Sequence, residues 1–203
     1  DISSPAGYIG STTYGLLGPI VTTIIATVRG ARVIAGDEEA GRLDVLLAHP
    51  IERGRFLLGR AAAMLVALAL AGLTLFVAMV VVAGPAQFSE IPTLNLAAAS
   101  LQMVLLGALF GALALSVGAL TGRRSLAAGS VVVVAVVTYF ANTLGPSVDW
   151  LAWTRDASPF HYYSGGQPLR NGIQAGDALI LGAVAVALIV LGVIAFRRRD
   201  IAV

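Results

Sequence analysis

The sequence predicts an all-α bundle of membrane-spanning helices, and three observations favour this fold class. Hydrophobic residues make up 58% of the 203 residues and charged residues only 12%, against roughly 25% charged residues in soluble domains. The charges leave five long uncharged runs, each able to cross the roughly 30 Å of bilayer hydrocarbon as a helix. The run at Val131–Val137 lacks the alternation that barrel strands show. We therefore expect a single transmembrane domain over residues 1–203.

The five predicted spans are bounded by the points where charged residues stop and start again. No Asp, Glu, Arg or His lies within any of them. This absence argues against a proton relay, an ion-coupled carrier or an intramembrane hydrolase, because each needs a titratable or nucleophilic group at depth. The spans are Tyr8–Val28, Ala61–Ala83, Leu94–Leu120, Leu126–Leu144 and Ala178–Phe196.

Arginine positions predict the orientation of these spans. Eleven of the 13 Arg fall on one side, between spans one and two, between spans three and four, and after span five. Only Arg155 and Arg170 fall on the other side. The positive-inside rule places the Arg-rich loops and the C-terminus in the cytoplasm. Asp1 then lies outside, and we expect a sixth span upstream in the complete protein.

The cytoplasmic segment Gly36–Pro50 combines charges with a short apolar stripe. The acidic residues Asp37–Glu39 suit the positive N-terminal end of a helix, and Pro50 disfavours helix at the residue before it. We expect a short amphipathic helix here. Such a helix either rests on lipid headgroups or docks in a groove of a cytoplasmic partner. Its stripe consists of Leu43, Leu46 and Leu47.

The run from Glu39 to Pro50, EAGRLDVLLAHP, resembles the cytoplasmic segment of ABC-2-type transporter permeases. That family typically has a Glu, then Gly-Thr-Leu, a Leu-Leu-Ala run and a Pro with a nearby Arg. Here Arg42 stands in place of the usual Thr, and His49 stands in place of a Thr or another small residue. The sequences at Phe196–Ile201, FRRRDI, and at 158–162, SPFHY, are also similar to this family, particularly to its drug and antibiotic exporters.

The resemblance implies a membrane subunit of an ATP-driven exporter in a bacterial plasma membrane. Such a subunit pairs with a second copy or a sibling and with cytoplasmic ABC ATPase subunits, which carry the ATP and Mg. The substrate would be hydrophobic or amphipathic. The segment Gly36–Pro50 would be the coupling helix inserted into the ATPase. The contact residues carried over by the resemblance are Glu39, Gly41, Leu43, Leu46, Leu47 and Pro50.

Polar residues in span one are candidates for lining a substrate path. Thr12, Thr23 and Thr27 fall mostly on one helix face, near Pro19. The alternative is that these hydroxyls bond backbone carbonyls or neighbouring helices around the proline kink. In span four, Thr138 and Asn142 form an i, i+4 pair, for which we expect interhelical hydrogen bonding.

Span three carries glycines at the spacing that brings helices close together. Two GxxxG spacings predict close packing against another helix, either within the chain or in a second protomer. The residues are Gly107, Gly111, Gly118 and Gly122.

The external segment Pro146–Asp177 is long for a connection between helices of a bundle. Its aromatic residues favour the headgroup level, so we expect short interfacial or re-entrant helices there. Ser158 and Pro159 form an N-cap followed by a favoured first-turn Pro. A metal site is not expected, since no second His lies nearby. In the resembled family this region forms external helices that cap the substrate path, which implies an external gate. Its candidates here are Trp150, Trp153, Phe160 and His161.

Composition narrows the function further. The chain contains neither Cys nor Lys, which excludes thiolate chemistry and a phosphate-loop lysine in this chain. We therefore expect no ATPase activity here. The short Arg clusters flank the membrane, for which lipid headgroups are a sufficient partner without nucleic acid. Beside the exporter stand two alternatives: a non-transporting membrane anchor or regulatory subunit, and an ion-coupled carrier or membrane-embedded enzyme.

Overall fold

The computed structural model describes residues 10–41, 52–83, 91–147 and 149–199, and this part of the chain contains no strand. Helix α1 runs from residue 10 to 39 without interruption. It passes through a π-helical stretch at Gly10–Leu17, an α-helical stretch at Gly18–Ala31, a second π-helical stretch at Arg32–Gly36 and a last α-helical turn at Asp37–Glu39. The remaining helices are α2 (Arg53–Ala83), α3 (Thr93–Thr121), α4 (Arg124–Leu144), α5 (Trp153–Asp156), α6 (Pro159–Ser164), α7 (Pro168–Asn171) and α8 (Ala175–Arg198).

Five of these helices are long and apolar enough to cross a membrane, so the prediction of an all-helical fold with five candidate spans is confirmed for the described residues. The candidate spans are Ser11–Glu39, Arg53–Ala83, Thr93–Thr121, Arg124–Ser147 and Ala175–Arg198. The two helices that flank the Arg-rich segment extend past the predicted boundaries, to Glu39 for α1 and from Arg53 for α2.

The acidic triplet Asp37–Glu39 ends α1 and does not begin a separate helix, so the predicted position of these acids at a helix N-terminus is wrong. The reason is that the residues after Arg29 and Arg32 are buried: Val33, Ile34 and Ala35 are 7%, 1% and 0% exposed. Their packing extends the helix beyond the turn that carries Arg29 and Arg32. Gly41 then adopts φ +64°, and its N–H donates to the Glu38 carbonyl at 3.0 Å. The remainder of the predicted coupling segment, residues 42–50, lies outside the described residues.

Helix α3 forms the centre of the bundle, and α1, α2, α4 and α8 all pack against it. In the most apolar 18-residue stretch of α3, 72% is buried, whereas in the corresponding stretches of α2 and α4 only 11% is buried. The side chains of Phe110, Leu106 and Leu115 are completely enclosed. The outward faces of the other helices expose Val, Leu and Ile, as expected where lipid is the solvent.

The glycines of α3 allow close packing within the chain. A Cβ added to Gly30 of α1 would lie only 2.3 Å from the carbonyl oxygen of Gly111, so the two backbones touch. A Cβ added to Gly107 would lie 2.6 Å from the Thr22 side chain, and one on Gly118 would lie 3.7 Å from the Cβ of Ala35. Gly122 instead ends α3 with φ +66°. Gly107, Gly111 and Gly118 therefore lie against α1, while Gly111 also lies against Met64 of α2 and Gly118 against Ala127 of α4.

Candidate functional site

The ends of the five long helices meet at the Arg-rich side of the bundle, around the acidic triplet. Arg60 of α2 donates to Asp37 Oδ2 at 2.8 Å. The first backbone N–H of α4, at Arg124, donates to Glu39 Oε1 at 2.8 Å. Glu38 pairs with Arg199, which directly follows α8. We call these groups the charged cluster: Asp37, Glu38, Glu39, Glu52, Arg53, Arg60, Arg124, Arg197 and Arg199.

Arg199 has the largest number of partners in this cluster. Its Nη1 donates to the Ala119 carbonyl near the end of α3 at 3.3 Å. Its own carbonyl accepts from Arg53 Nη1 at the start of α2, at 3.0 Å. Together with Glu38, these bonds join α1, α2, α3 and the end of α8. A change at any one of these helix ends therefore alters the surroundings of the same residue, Arg199.

The ion pairs of the cluster differ in their exposure to solvent. The side chains of Glu38 and Arg199 are 23% and 20% exposed, whereas those of Glu52 and Arg197, which pair at 2.6 Å, are 53% and 58% exposed. Acidic residues at a helix C-terminus are disfavoured by the helix dipole. Two arginine side chains and the backbone N–H of Arg124 contact the triplet and offset that cost. These contacts explain why the helix can end on three acids.

Only two of the predicted ATPase-contact residues lie in the described part of the chain. Glu39 is exposed apart from its bond to α4, and Gly41 follows it in an open position, where an added Cβ would meet no other part of the chain within 4 Å. Both lie at the same end as the charged cluster. The predicted contacts at Leu43, Leu46, Leu47 and Pro50 lie outside the described residues.

A groove of about 540 Å³ runs between α1 and α4. Its walls are mostly aliphatic, and two of the three predicted path residues, Thr23 and Thr27, line it; Thr12 does not. The Thr27 hydroxyl donates to the Thr23 carbonyl at 2.6 Å, so it is already used within α1. The full lining is Gly15, Leu16, Pro19, Ile20, Thr23, Ile24, Thr27, Val28, Val131, Val132, Ala135, Val136, Tyr139, Phe140, Asn142, Phe160, Tyr163 and Ser164.

The polar pair predicted in α4 does not act as expected. The Thr138 hydroxyl donates to the Val134 carbonyl of its own helix at 2.7 Å, so the predicted interhelical bond from this hydroxyl is wrong. Satisfying the hydroxyl within the helix needs no partner from a neighbour. Asn142 lines the groove.

At the opposite end, short helices of the external segment cover the bundle. Ser158 caps α6, accepting from the Phe160 N–H at 3.2 Å and donating to the Thr138 carbonyl at 2.7 Å. The predicted N-cap followed by Pro is therefore confirmed. The Phe160 ring contacts Phe110 of α3 and Tyr139 of α4, with centroid separations of 5.8 and 5.6 Å. These contacts fix α6 over the end of the groove that lies opposite the charged cluster.

Two tyrosines form a buried polar link at this end that the sequence reading missed. The Tyr163 hydroxyl donates to the Tyr14 carbonyl at 2.5 Å, and the Tyr14 hydroxyl lies 2.9 Å from Ser100 Oγ. Burial raises the pKa of the Tyr163 hydroxyl above its ordinary value, and the nearby Tyr14 raises it further, so the group stays protonated and donates. The signal available in the sequence was the isolated polar residues within apolar runs.

The four predicted gate residues do not form one group. Trp150 and Trp153 are 75% and 67% exposed, so they project away from the bundle. His161 lies with Nε2 3.8 Å from Asp156 Oδ1, near the surface. Of the four, Phe160 is the one that packs against the core and lines the groove.

Four apolar helices packed around a fifth, central helix define an all-helical bundle of the multi-pass membrane class. Residues 7–197 match the family model described as the multidrug efflux system permease Rv1217c, C-terminal domain, and the chain belongs to this family. Comparison with curated proteins and with solved structures gives no match. Membership confirms the expectation of an efflux permease, and it makes the chain a membrane domain of a transporter.

Proposed function

We propose that this chain is the membrane subunit of an ABC-2-type exporter and that a separate cytoplasmic ATPase drives it. The observation that carries the proposal is the charged cluster, which links the end of α1 to the ends of the other four long helices. Helix α1 ends at Glu39, where the segment resembling the ABC-2 motif begins. A force applied to that segment thus acts on the whole bundle through one set of contacts.

The energy source must lie outside this chain under the proposal. The chain has no Lys, so it cannot form a phosphate loop of the usual ATPase type. The positive-inside rule places the charged cluster in the cytoplasm, on the side where an ATPase is available. A second permease copy or sibling completes the transporter, and the bacterial plasma membrane is its location.

The groove between α1 and α4 supports a hydrophobic or amphipathic substrate. Its volume of about 540 Å³ lies within the range of roughly 300–1,000 Å³ found for small-molecule sites. Exposed aliphatic side chains such as Ile20 and Val132 form its rim, so a molecule dissolved in the bilayer can enter from the side. Tyr139 and Asn142 supply polar groups at the end covered by α6.

The decisive experiment is Leu46→Asp, measured in liposomes that contain the protein with its ATPase. A charge in the apolar stripe would break the contact with the ATPase groove. We expect loss of substrate efflux and of substrate-stimulated ATP hydrolysis, with membrane insertion intact. Leu94→Asp is the matched control, because Leu94 is 74% exposed in the first turn of α3, at the other end of the bundle. We expect this variant to transport normally.

Three results would contradict the proposal. Unchanged efflux in Leu46→Asp would remove the coupling role of the segment. Efflux driven by an ion gradient in liposomes without an ATPase would instead assign the chain to the ion-coupled carriers. Normal ATPase assembly with no efflux of any tested compound would favour the anchor or regulatory subunit.

A further inference from the structure

A second cleft lies between α1 and α2 at the Arg-rich end, and it shares Ile24 and Val28 with the α1–α4 groove. It has a volume of about 570 Å³. Arginines from both helices stand above an aliphatic floor. We call it the arginine cleft, and its lining is Ile24, Ile25, Val28, Arg29, Arg32, Val33, Arg60, Ala63 and Met64.

Helix lengths place this cleft at the boundary between hydrocarbon and headgroups. The uncharged part of α1 covers residues 10–28, which at about 1.5 Å per residue is roughly 28 Å, close to the roughly 30 Å hydrocarbon thickness. Arg29 is the first charge after that stretch, and Arg60 is the last charge before the uncharged part of α2. The arginines therefore stand at headgroup level, and Ile24, Ile25 and Ala63 lie one to two turns deeper, at acyl-chain level.

Within the described part of the chain, carboxylates neutralise only part of the positive charge of the cleft. Among the described residues, no carboxylate lies within ion-pair distance of Arg29 or Arg32. A pocket of about 310 Å³ beside it adds Arg124 to Arg32 and Arg60, and Asp37 is the one carboxylate lining either space. Four arginines and one aspartate give these two adjoining spaces a formal charge of +3.

We propose that the arginine cleft binds an anionic phospholipid. Arg29 and Arg32 hold the phosphate, since guanidinium groups bind phosphate oxygens in a bidentate manner. One acyl chain lies along Ile24, Ile25 and Val28, which are 57%, 37% and 44% exposed and continuous with the lipid-facing surface of α1. The apolar floor favours a lipid over a soluble anion, because a soluble anion would leave that floor in contact with water.

The position of the site gives the lipid a structural role. Arg32 lies five residues before the acidic triplet, and Arg60 bridges the cleft and the charged cluster through Asp37. A bound phosphate therefore neutralises the arginines next to the pairs that join α1 and α2. The lipid holds these two helices in their observed arrangement from the membrane side.

The test is lipid retention by the purified protein, measured by native mass spectrometry in the presence of equal amounts of phosphatidylglycerol and phosphatidylcholine with identical acyl chains. We expect selective retention of phosphatidylglycerol. The Arg29→Gln/Arg32→Gln double variant should lose about 30-fold in affinity, the expectation for removing two basic residues near a lipid surface. The Arg29→Lys/Arg32→Lys variant, which keeps the charges but not the bidentate geometry, should lose less affinity than the Gln double variant.

Two controls distinguish lipid binding in the cleft from general electrostatic attraction of anions to the Arg-rich end. Arg123→Gln removes an exposed charge from the same end without touching the cleft, and its affinity should match that of the original protein. Millimolar inorganic phosphate should not displace the lipid. Equal retention of both lipids by the unsubstituted protein would overturn the proposal without reference to any variant. Displacement by phosphate, or unchanged affinity in the Gln double variant, would overturn it as well. None of these readings requires transport activity.

Discussion

The two ends of the bundle are held together by different chemistry. At the Arg-rich end, ion pairs between side chains join the long helices, and the most sheltered pair is Glu38 with Arg199. At the opposite end, neutral donors bond backbone carbonyls: Tyr163 bonds Tyr14, Ser158 bonds Thr138, and Asn95 bonds the carbonyls of Leu169 and Arg170 at 3.0 Å each.

This difference indicates which end is suited to rearrangement. A guanidinium can exchange one carboxylate for another while both stay near water, so partly exposed ion pairs have a low net cost of breaking. A buried hydroxyl that loses its carbonyl has no replacement. We therefore expect the Arg-rich end to reorganise during transport and the opposite end to keep its internal bonds.

The largest expected effect comes from removing the sheltered acid at the Arg-rich end. In Glu38→Gln, Arg199 loses its charged partner at the junction of α1, α3 and α8, and we expect a loss of about 2 kcal/mol in the free energy of unfolding. The matched control is Glu52→Gln, whose pair with Arg197 is more than half exposed and should cost about 0.5 kcal/mol. Both are measured by denaturant titration in mixed micelles. Equal losses would show that shelter does not set the strength of these pairs.

The second effect tests the opposite end. Tyr163→Phe removes a hydroxyl from a side chain that is 5% exposed and leaves the Tyr14 carbonyl without its donor, which should cost about 1 kcal/mol. Tyr162→Phe is the control one residue earlier, because its hydroxyl bonds the Asp156 carbonyl at an exposed position. We expect the control to unfold at the same denaturant concentration as the original protein. A larger loss in Tyr162→Phe would contradict the assignment of the buried link.

The smallest expected effect is a difference between the two ends in how the cost of substitution depends on salt concentration. Raising NaCl from about 0.1 M to about 1 M shortens the screening length from about 10 Å to about 3 Å. The cost of Glu38→Gln should then fall by about 0.5 kcal/mol, because part of the lost attraction is already screened. The cost of Tyr163→Phe should not change, since the Tyr163 hydroxyl and the Tyr14 carbonyl that it bonds are both neutral. The measurement is the same titration repeated at the two salt concentrations, and a parallel shift of both variants would remove the distinction.

The spans could be predicted from sequence because their signal is local. An uncharged run of about 20 residues reads as a spanning helix whatever surrounds it, and all five runs correspond to long apolar helices. The glycine spacing in α3 likewise predicted close packing. Sequence alone left the partner open, since whether Gly111 meets Gly30 or another protomer depends on how the helices are arranged.

The charged cluster could not be predicted for the same reason. Asp37, Glu38 and Glu39 looked like the start of a helix, because acids at that position are common and favourable. Their actual partners come from Arg60, Arg124 and Arg199, residues that are 23, 85 and 161 positions away. Only the fold brings these groups together, and their pairing allows α1 to end on acids that the helix dipole disfavours.

The contact between Gly30 and Gly111 has a mechanical consequence. Where two backbones touch, no side chain is available to change rotamer and absorb a small relative displacement. Helices α1 and α3 therefore form a rigid body, and shear within the bundle falls on boundaries where side chains alone meet. The groove between α1 and α4 is such a boundary, so we expect its width to change more readily than the separation of α1 and α3.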